Sequence, residues 1–393
     1  MNPPSYSILL HYSEIALKLK NRSHFEKIFI QNIKLHMLGL EYSRIELYDA
    51  RVFIHDINQD LWDEYKKRLT QIIGMQHATL VLKTATDIDE IKNATKILIK
   101  DKKIDSFRIS AKRNDKSFKY DTNDINKHIG AFVQKMTNAK VSLKFYSLNI
   151  IIEILKNYSL VGFERIKGYS GLPAGSQEKA LSLISSGIDS PVASFELIKR
   201  GVKLDYVHFH SYPAISNQSI ENVKEILHIL KLYQLKSKLY LVPILSIQQK
   251  IMEIIPDKFW VIFFRRVMLQ ISNIIANKIN AVALVTGDSV GQVASQTLSN
   301  IRAISDASLL PILRPLSGSN KEDIINKAKK IGTYDTSVLP YQDCCSFFVP
   351  KHPETKAKMK DILFYESKIN LDNLIDEAIS NIEKININIK DNI

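Results

Sequence analysis

KALSLISSGIDSPVASFELIKRG (179–201) is the stretch whose reading decides the fold. KALSLIS (179–185) is apolar and short, which predicts a buried strand. DSPVASFELIKRG (189–201) predicts a helix, with Gly201 as its stop. Between them Leu183, Ile184, Ser185, Ser186, Gly187, Ile188, Asp189 and Ser190 form a turn of small and hydroxylated residues. Amides exposed at such a helix start bind phosphate oxygens, and the helix dipole favours the anion. Ser185 and Ser190 add hydroxyl donors, and Gly187 admits a phosphate without a Cβ in the way. The segment lacks GK[ST], so it is not a Walker A loop. An ordinary Ser/Gly helix start is the competing reading.

Outward from this turn the grammar repeats. Strands are predicted at 203–210, 238–244 and 280–287, and helices at 217–233 and 258–279. Strand alternating with helix implies a doubly wound, parallel, Rossmann-like sheet, with its ligand at the carboxyl ends of the strands. Upstream, GYSGLPAGS (168–176) is rich in Gly, Pro and Ser, and 169–176 is read as a linker. Before it come two α+β units. The first, 1–76, has a strand at 6–12, a helix at 22–38, a hairpin at 44–57 turning at Asp49-Ala50, and a helix at 60–73, an order that suits a ferredoxin-like module. The second, 77–168, has a strand at 78–84, helices at 87–101 and 122–137, a basic strand at 106–112, and two antiparallel strands joined at Asn157. The C-terminal domain is 177–393. The Asn/Lys/Ile-rich tail after 380 is expected to fray.

The chain has 393 residues and a formal charge of +13, with 45% hydrophobic and 24% charged residues. That composition excludes a mostly disordered chain. No apolar run approaches the ~18 residues of a bilayer span, no signal peptide is read, and no membrane partner is expected. The two cysteines exclude a disulfide scaffold and suggest a reducing cytoplasm. Residues 101–150 hold 11 Lys+Arg against 5 Asp+Glu, whereas 351–393 hold 7 against 8. SFRISAKRNDKSFKY (106–120) places Arg108, Lys112, Arg113, Lys116 and Lys119 among Phe107, Phe118 and Tyr120. Such a patch offers phosphate contacts and stacking surfaces to RNA. A solvated strand pair with core aromatics is the alternative.

The 183–190 turn resembles the SGGxDS signature of the PP-loop ATP pyrophosphatases, with Ser186 in place of a glycine. Longer blocks are similar to one branch of that superfamily, the tRNA 4-thiouridine synthetases (tRNA sulfurtransferases). They are HYSEIALKLKNRSHFEKIFIQNI (11–33, with Ser13 and Leu19 replacing glycines), 106–130, which resembles a THUMP RNA-binding segment, HFHSYP (208–213), FRRVML (264–269), TGDSVGQVASQTLSNI (286–301), LRPLSGSNKEDII (313–325) and IGTYDTSVLPYQDCCSFFVPKHPETK (331–356). The resemblance implies a ferredoxin-like domain, a THUMP domain and a PP-loop domain in that order. It implies ATP contacts from Leu183, Ile184, Ser185, Ser186, Gly187, Ser190, His208, Phe209, Arg266, Gly287 and Gln296. It assigns catalysis to Asp189, which helps place Mg²⁺–pyrophosphate, to Lys321, which here follows Asn320 rather than an Asp, and to Cys344. If position 186 demands positive φ or close phosphate approach, serine weakens ATP binding by about 1 kcal/mol.

The residues read alone leave more open. Asp288, Gln292 and Gln296 sit in a polar strand-end loop. Arg265 and Arg266 interrupt an apolar helix, so at least one must meet an anion or a carboxylate. His208 and His210, two apart with no Cys/His partners, are poor zinc ligands. No metal centre is expected. Adjacent Cys344 and Cys345 are too close for an ordinary disulfide.

The resemblance implies adenylation of a uridine C4 oxygen at tRNA position 8, then attack by persulfide or sulfide sulfur. With no third cysteine before Ile393, no appended rhodanese domain is expected. Sulfur then comes from a cysteine desulfurase or inorganic sulfide. Family precedent suggests a homodimer. The alternatives are another PP-loop sulfurtransferase, acting elsewhere on tRNA or in thiamine thiazole synthesis, and a tRNA-binding module with a decayed site.

Overall fold

The computed structural model describes residues 5–340, 348 and 350–392, so Cys344 and Cys345 lie outside the described residues. The chain divides into two compact units, Met1–Gly171 and Leu172–Ile393.

The first unit is built on eight strands. They are β1 (Tyr6–Tyr12), β2 (Arg44–Tyr48), β3 (Arg51–His55), β4 (Met75–Thr84), β5 (Ser106–Arg113), β6 (Lys140–Val141), β7 (Leu148–Ile154) and β8 (Ser159–Lys167). Their order in one sheet is β2-β3-β1-β4-β8-β7-β5-β6. The first half pairs as a ferredoxin-like module, with α1 (Arg22–His36) and α2 (Trp62–Leu69). The second half carries α3 (Ile88–Ile99) and α4 (Thr122–Thr137). Aspartates start both of these helices: Asp87 accepts from the amides of Asp89 and Glu90, and Asp121 from that of Asp124, satisfying orphan N–H groups.

The domain boundary expected between residues 76 and 77 falls inside β4. This ten-residue strand pairs antiparallel with β1 on one edge and β8 on the other. The two N-terminal modules therefore share one sheet and cannot end at β4 separately. The pairing at β8 is tight: a Cβ on Gly162 would lie 2.5 Å from the Leu80 carbonyl oxygen, beside the register shift at Thr79/Leu80. Leu19, one of the glycine replacements, sits at φ +41° and is almost fully exposed.

The second unit contains β9 (Lys179–Leu183), β10 (Lys203–His210), β11 (Lys236–Pro243), β12 (Ala283–Val285), β13 (Ile312–Leu313) and β14 (Glu383–Asn388). The sheet order is β13-β12-β9-β10-β11-β14, parallel except for β14. From β9 the chain steps through β10 to β11, then returns to place β12 on the other edge of β9. The strand order thus reverses at β9/β12, where a doubly wound sheet opens its ligand crevice. Helices α5 (Asp189–Ile198), α6 (Gln218–Gln234), α7 (Leu245–Ile254), α8 (Trp260–Lys278), α9 (Leu298–Ser305), α10 (Lys321–Ile331), α11 (Tyr334–Ser337), α12 (Met359–Glu366) and α13 (Asp372–Ser380) complete the unit. The α8 region, Asp257–Lys278, is long and apolar enough to cross a membrane by length and composition, but it is mostly buried inside the unit. Phe263, Phe264, Ile271 and Ile275 place it in the main core cluster.

The tail does not fray as expected. Residues 383–388 pair antiparallel with β11, and Ile387 is buried. The alternation in EKININ is strand periodicity hidden in a biased composition. Ile387→Ala should therefore cost about 2–5 kcal/mol of unfolding free energy in urea titration. A loss below about 0.5 kcal/mol, as at an ordinary surface position, would mean the strand contributes nothing.

Candidate active site

β9 and β12 pair side by side in parallel, and the loops after their C-terminal ends part at the switch point. Between them lies a cleft lined by Leu183, Ile184, Ser185, Asp189, Ser190, His208, Phe209, Val261, Arg265, Met268, Thr286, Gly287, Asp288, Ser295 and Gln296.

The turn after β9 is held by its own hydroxyls. Ser190 Oγ accepts from the Ser185 amide at 2.8 Å and lies 3.1 Å from Ser185 Oγ. This staple presents the start of α5 to the cleft. A Cβ on Gly287 would lie 2.7 Å from the Ser190 nitrogen and 2.9 Å from the Asp189 carbonyl carbon. Only a glycine after β12 lets its backbone press this closely on the helix start. His208, almost fully buried, has Nδ1 3.0 Å from the Ile184 carbonyl. A carbonyl only accepts, so Nδ1 carries the proton.

Asp189 is the meeting point of three loops. Its Oδ1 accepts from Lys321 Nζ at 2.7 Å and its Oδ2 from Gln292 Nε2 at 2.8 Å. Lys321 begins α10, whose N-cap is Asn320, accepting from the Asp323 amide at 2.8 Å. Asn and Asp cap equally well, so Asn320 serves to start the helix that carries Lys321.

Asp288 anchors the opposite wall. It is buried and accepts from Arg265 Nη2, from Arg314 Nε at 3.1 Å and from Thr286 Oγ1 at 2.8 Å. Burial acts to raise its pKa. The guanidinium of Arg265, with help from Thr286 and Arg314, outweighs that and holds the carboxyl below its ordinary range. Gln296 Nε2 reaches the same carboxylate at 3.4 Å, and its Oε1 is buried with no partner among the described residues. That oxygen can accept from a ligand amine.

Arg266, expected at the nucleotide site, is elsewhere. It is 3% exposed, pairs with Glu366 of α12 at 2.7 Å and Asp306 at 3.3 Å, and donates to the Ala303 carbonyl. Arg265 lines the cleft instead. Ser186 and Gly187 also stand apart from its lining. Ser186 does not adopt positive φ, so its backbone is not strained. Its Oγ is buried with no partner among the described residues. Arg265, Arg314, Thr286 and Ser295 are site residues that sequence reading left unassigned; the signal for Arg314 is a cation just past a strand end, in LRPLSGSN.

In the first unit, Arg108 and Lys112 point to the same face of β5 by strand alternation. The Arg108 guanidinium lies 4.6 Å from the Tyr146 ring centre. Arg113, on the other face, reaches toward the carbonyls of Phe118 and Tyr120, each at 3.4 Å. Lys112, Lys116 and Lys119 are exposed, whereas Phe107 is core. The described residues contain no cluster of three or more His, Cys, Asp or Glu able to hold a metal ion.

A strand-end turn feeding a helix start, at the reversal of a parallel sheet and without a P-loop lysine, defines a nucleotide-binding α/β unit of the PP-loop type. Family models agree in order: a ThiI ferredoxin-like domain matches residues 7–79, a THUMP domain 85–164 and the thiamine biosynthesis protein ThiI 175–371. A probable tRNA sulfurtransferase from Acetivibrio thermocellus is 39% identical over 97% of this chain and 98% of its own. One from Thermus thermophilus is 38% identical over 94% of this chain and 90% of its own. A crystal structure of a 4-thiouridine synthetase–RNA complex with bound ATP superposes with TM-score 0.87 at 34% identity, over 97% of this chain and 99% of that one. The chain belongs to the tRNA sulfurtransferase family, and it is an enzyme of sulfur transfer to tRNA.

Two substitutions test the loop. Gly287→Ala should displace the start of α5 and weaken ATP binding at least about tenfold, a change of about 1.4 kcal/mol, in calorimetric titration. Ser186→Gly should change ATP affinity less than about threefold, because no backbone strain is relieved; a large gain would restore the view that serine impairs the loop.

Proposed function

We propose that the cleft binds ATP and adenylates a tRNA uridine, and that sulfur then replaces the activated oxygen to give 4-thiouridine at position 8. The observation that carries this reading is the clamped Asp189, joined to Lys321 and Gln292 at the start of α5. A carboxylate and a cation side by side at a helix start support a role in charge stabilisation of leaving pyrophosphate.

The chemistry runs in two displacements. The uridine C4 oxygen attacks the α-phosphorus of ATP, and the bond to the β-phosphate oxygen breaks to release pyrophosphate. A sulfur nucleophile then attacks C4 and the C4–O bond breaks to release AMP. With inorganic sulfide no redox step is needed. With a persulfide, the S–S bond must afterwards be cleaved by a second thiol, leaving a disulfide for a reductant to reopen. The resemblance assigns a sulfur-handling thiolate to Cys344, and the sulfur comes from a cysteine desulfurase or sulfide. Residues flanking the cysteine segment meet site elements: Ser337 Oγ lies 3.4 Å from the Gly187 carbonyl, and Phe348 packs edge-on against Phe264 of α8.

The preformed residues do most of their work by position. The start of α5 and Arg265 line the cleft toward the nucleotide, and Gln296 Oε1 offers an acceptor to the adenine amine. A single carboxylate suits Mg²⁺, which binds one or two carboxylates together with substrate phosphates rather than an all-protein cage. Asp189 would hold that ion, which supplies charge neutralisation for the departing pyrophosphate. Arg108, Lys112, Lys116 and Lys119 are the proposed tRNA contacts. Arg113 contributes to the shape of their loop. A cytoplasmic setting goes with this substrate.

Purified protein incubated with tRNA, ATP, Mg²⁺ and sulfide should form a thionucleoside with near-ultraviolet absorbance. ATP-independent tRNA binding without product would favour a decayed site. Cys344→Ser should abolish product from a persulfide donor while leaving tRNA binding intact, and unchanged thiolation would remove the cysteine from the mechanism.

A further inference from the structure

We infer that a row of lysines at the N-terminal end of the second unit's sheet is a binding site for phosphate groups, carried by RNA or free in solution. It lies at the opposite strand ends from the Asp189 cleft. Lys179 opens β9, Lys203 opens β10 and Lys236 opens β11. Lys203 is the register partner of Lys179. Counted back from the Tyr206–Leu239 pair, the same parallel register sets Lys236 level with Lys203. Asn388 of β14 continues the row beyond Lys236. Lys238, two residues on, points to the same face as Lys236.

Neighbouring strands lie about 4.8 Å apart, so three ammonium stems stand side by side across roughly 10 Å. Like charges directly opposite on adjacent strands destabilise a sheet. Local carboxylates offset little of this. Asp205 is committed, with Oδ2 3.0 Å from Lys179 Nζ and Oδ1 accepting from the Lys238 amide at 2.9 Å. Asp391, on the rim, accepts from the Asn388 amide at 3.1 Å. The ammonium groups of Lys203, Lys236 and Lys238 have no carboxylate partner among the described residues, and they line a concavity of about 500 Å³.

A repulsive row around a concavity is relieved by a bound anion. Ammoniums on flexible stems are point charges that accept phosphate oxygens in many geometries. The RNA source rests on the tRNA reading above; the free source, such as pyrophosphate, does not. Each would add a phosphate-binding surface remote from the nucleotide cleft.

The test replaces all three free lysines in the full chain, Lys203→Gln, Lys236→Gln and Lys238→Gln, which are exposed and outside the proposed active site. In one arm, labelled tRNA is titrated at several salt concentrations. The slope of log affinity against log salt should fall by about 2–3, at roughly 0.7–0.9 per lost phosphate contact. In the other arm, pyrophosphate is titrated by calorimetry with saturating ATP in the nucleotide cleft. Binding by the wild-type chain that the variant lacks identifies a free anion as the source. Loss in either arm supports the site and names its ligand. Unchanged slope together with unchanged pyrophosphate binding overturns it. A wild-type chain that binds no tRNA would instead remove the tRNA reading, and the pyrophosphate arm would still decide the lysine row.

Discussion

The carboxylate of Asp189 gathers the site. Lys321 and Gln292 each take one of its oxygens, and they come from loops after different strands of one sheet. As a source of stability the ion pair counts for little, because the Lys321 and Asp189 side chains are 45% and 21% exposed and such pairs contribute about 0–1 kcal/mol. Its effect is geometric. It fixes where the α5 start stands relative to the loop after β12 and to α10. The close passage of Gly287 over Asp189 and Ser190 enforces the same arrangement through sterics.

The opposite wall follows a different logic. Asp288 is 4% exposed, and a charge so buried is costly unless paired and hydrogen-bonded. Arg265, Arg314 and Thr286 meet that requirement together. One consequence is that Arg265 is held at the cleft with its orientation already set, and a preorganised cation needs no rearrangement when an anion arrives. In the first unit β4 has a comparable organising role, since it alone is edge to both modules of the eight-stranded sheet.

Much of this was readable. The 179–201 stretch showed its strand, turn and helix, and the collinear blocks led to the family and to most residues lining the cleft. Arg265 and Arg266 show where reading failed. On a helix, neighbours point about 100° apart, and nothing in FRRVML says which one faces the cleft. The choice was made by Glu366 and Asp306, which capture Arg266 from distant parts of the chain. EKININ failed for another reason: its alternation is visible, but a strand needs an edge to join, and β11 is more than 140 residues away. The boundary at 76/77 lies within β4, and that one strand pairs with both modules, so no break in the sequence pattern separates them.

By itself the sequence determined the local chemistry: strand–helix order, the serine-rich turn, the aspartate and asparagine caps, and the absence of a P-loop lysine. These depend on hydrogen bonds and periodicity within about four residues. Only the tertiary structure decided which arginine enters the cleft, that Gly287 must lack a side chain, and that Asp189 meets partners 103 and 132 residues away. Such contacts exist only after long loops close and the sheet sets its strand order, and no local preference encodes them.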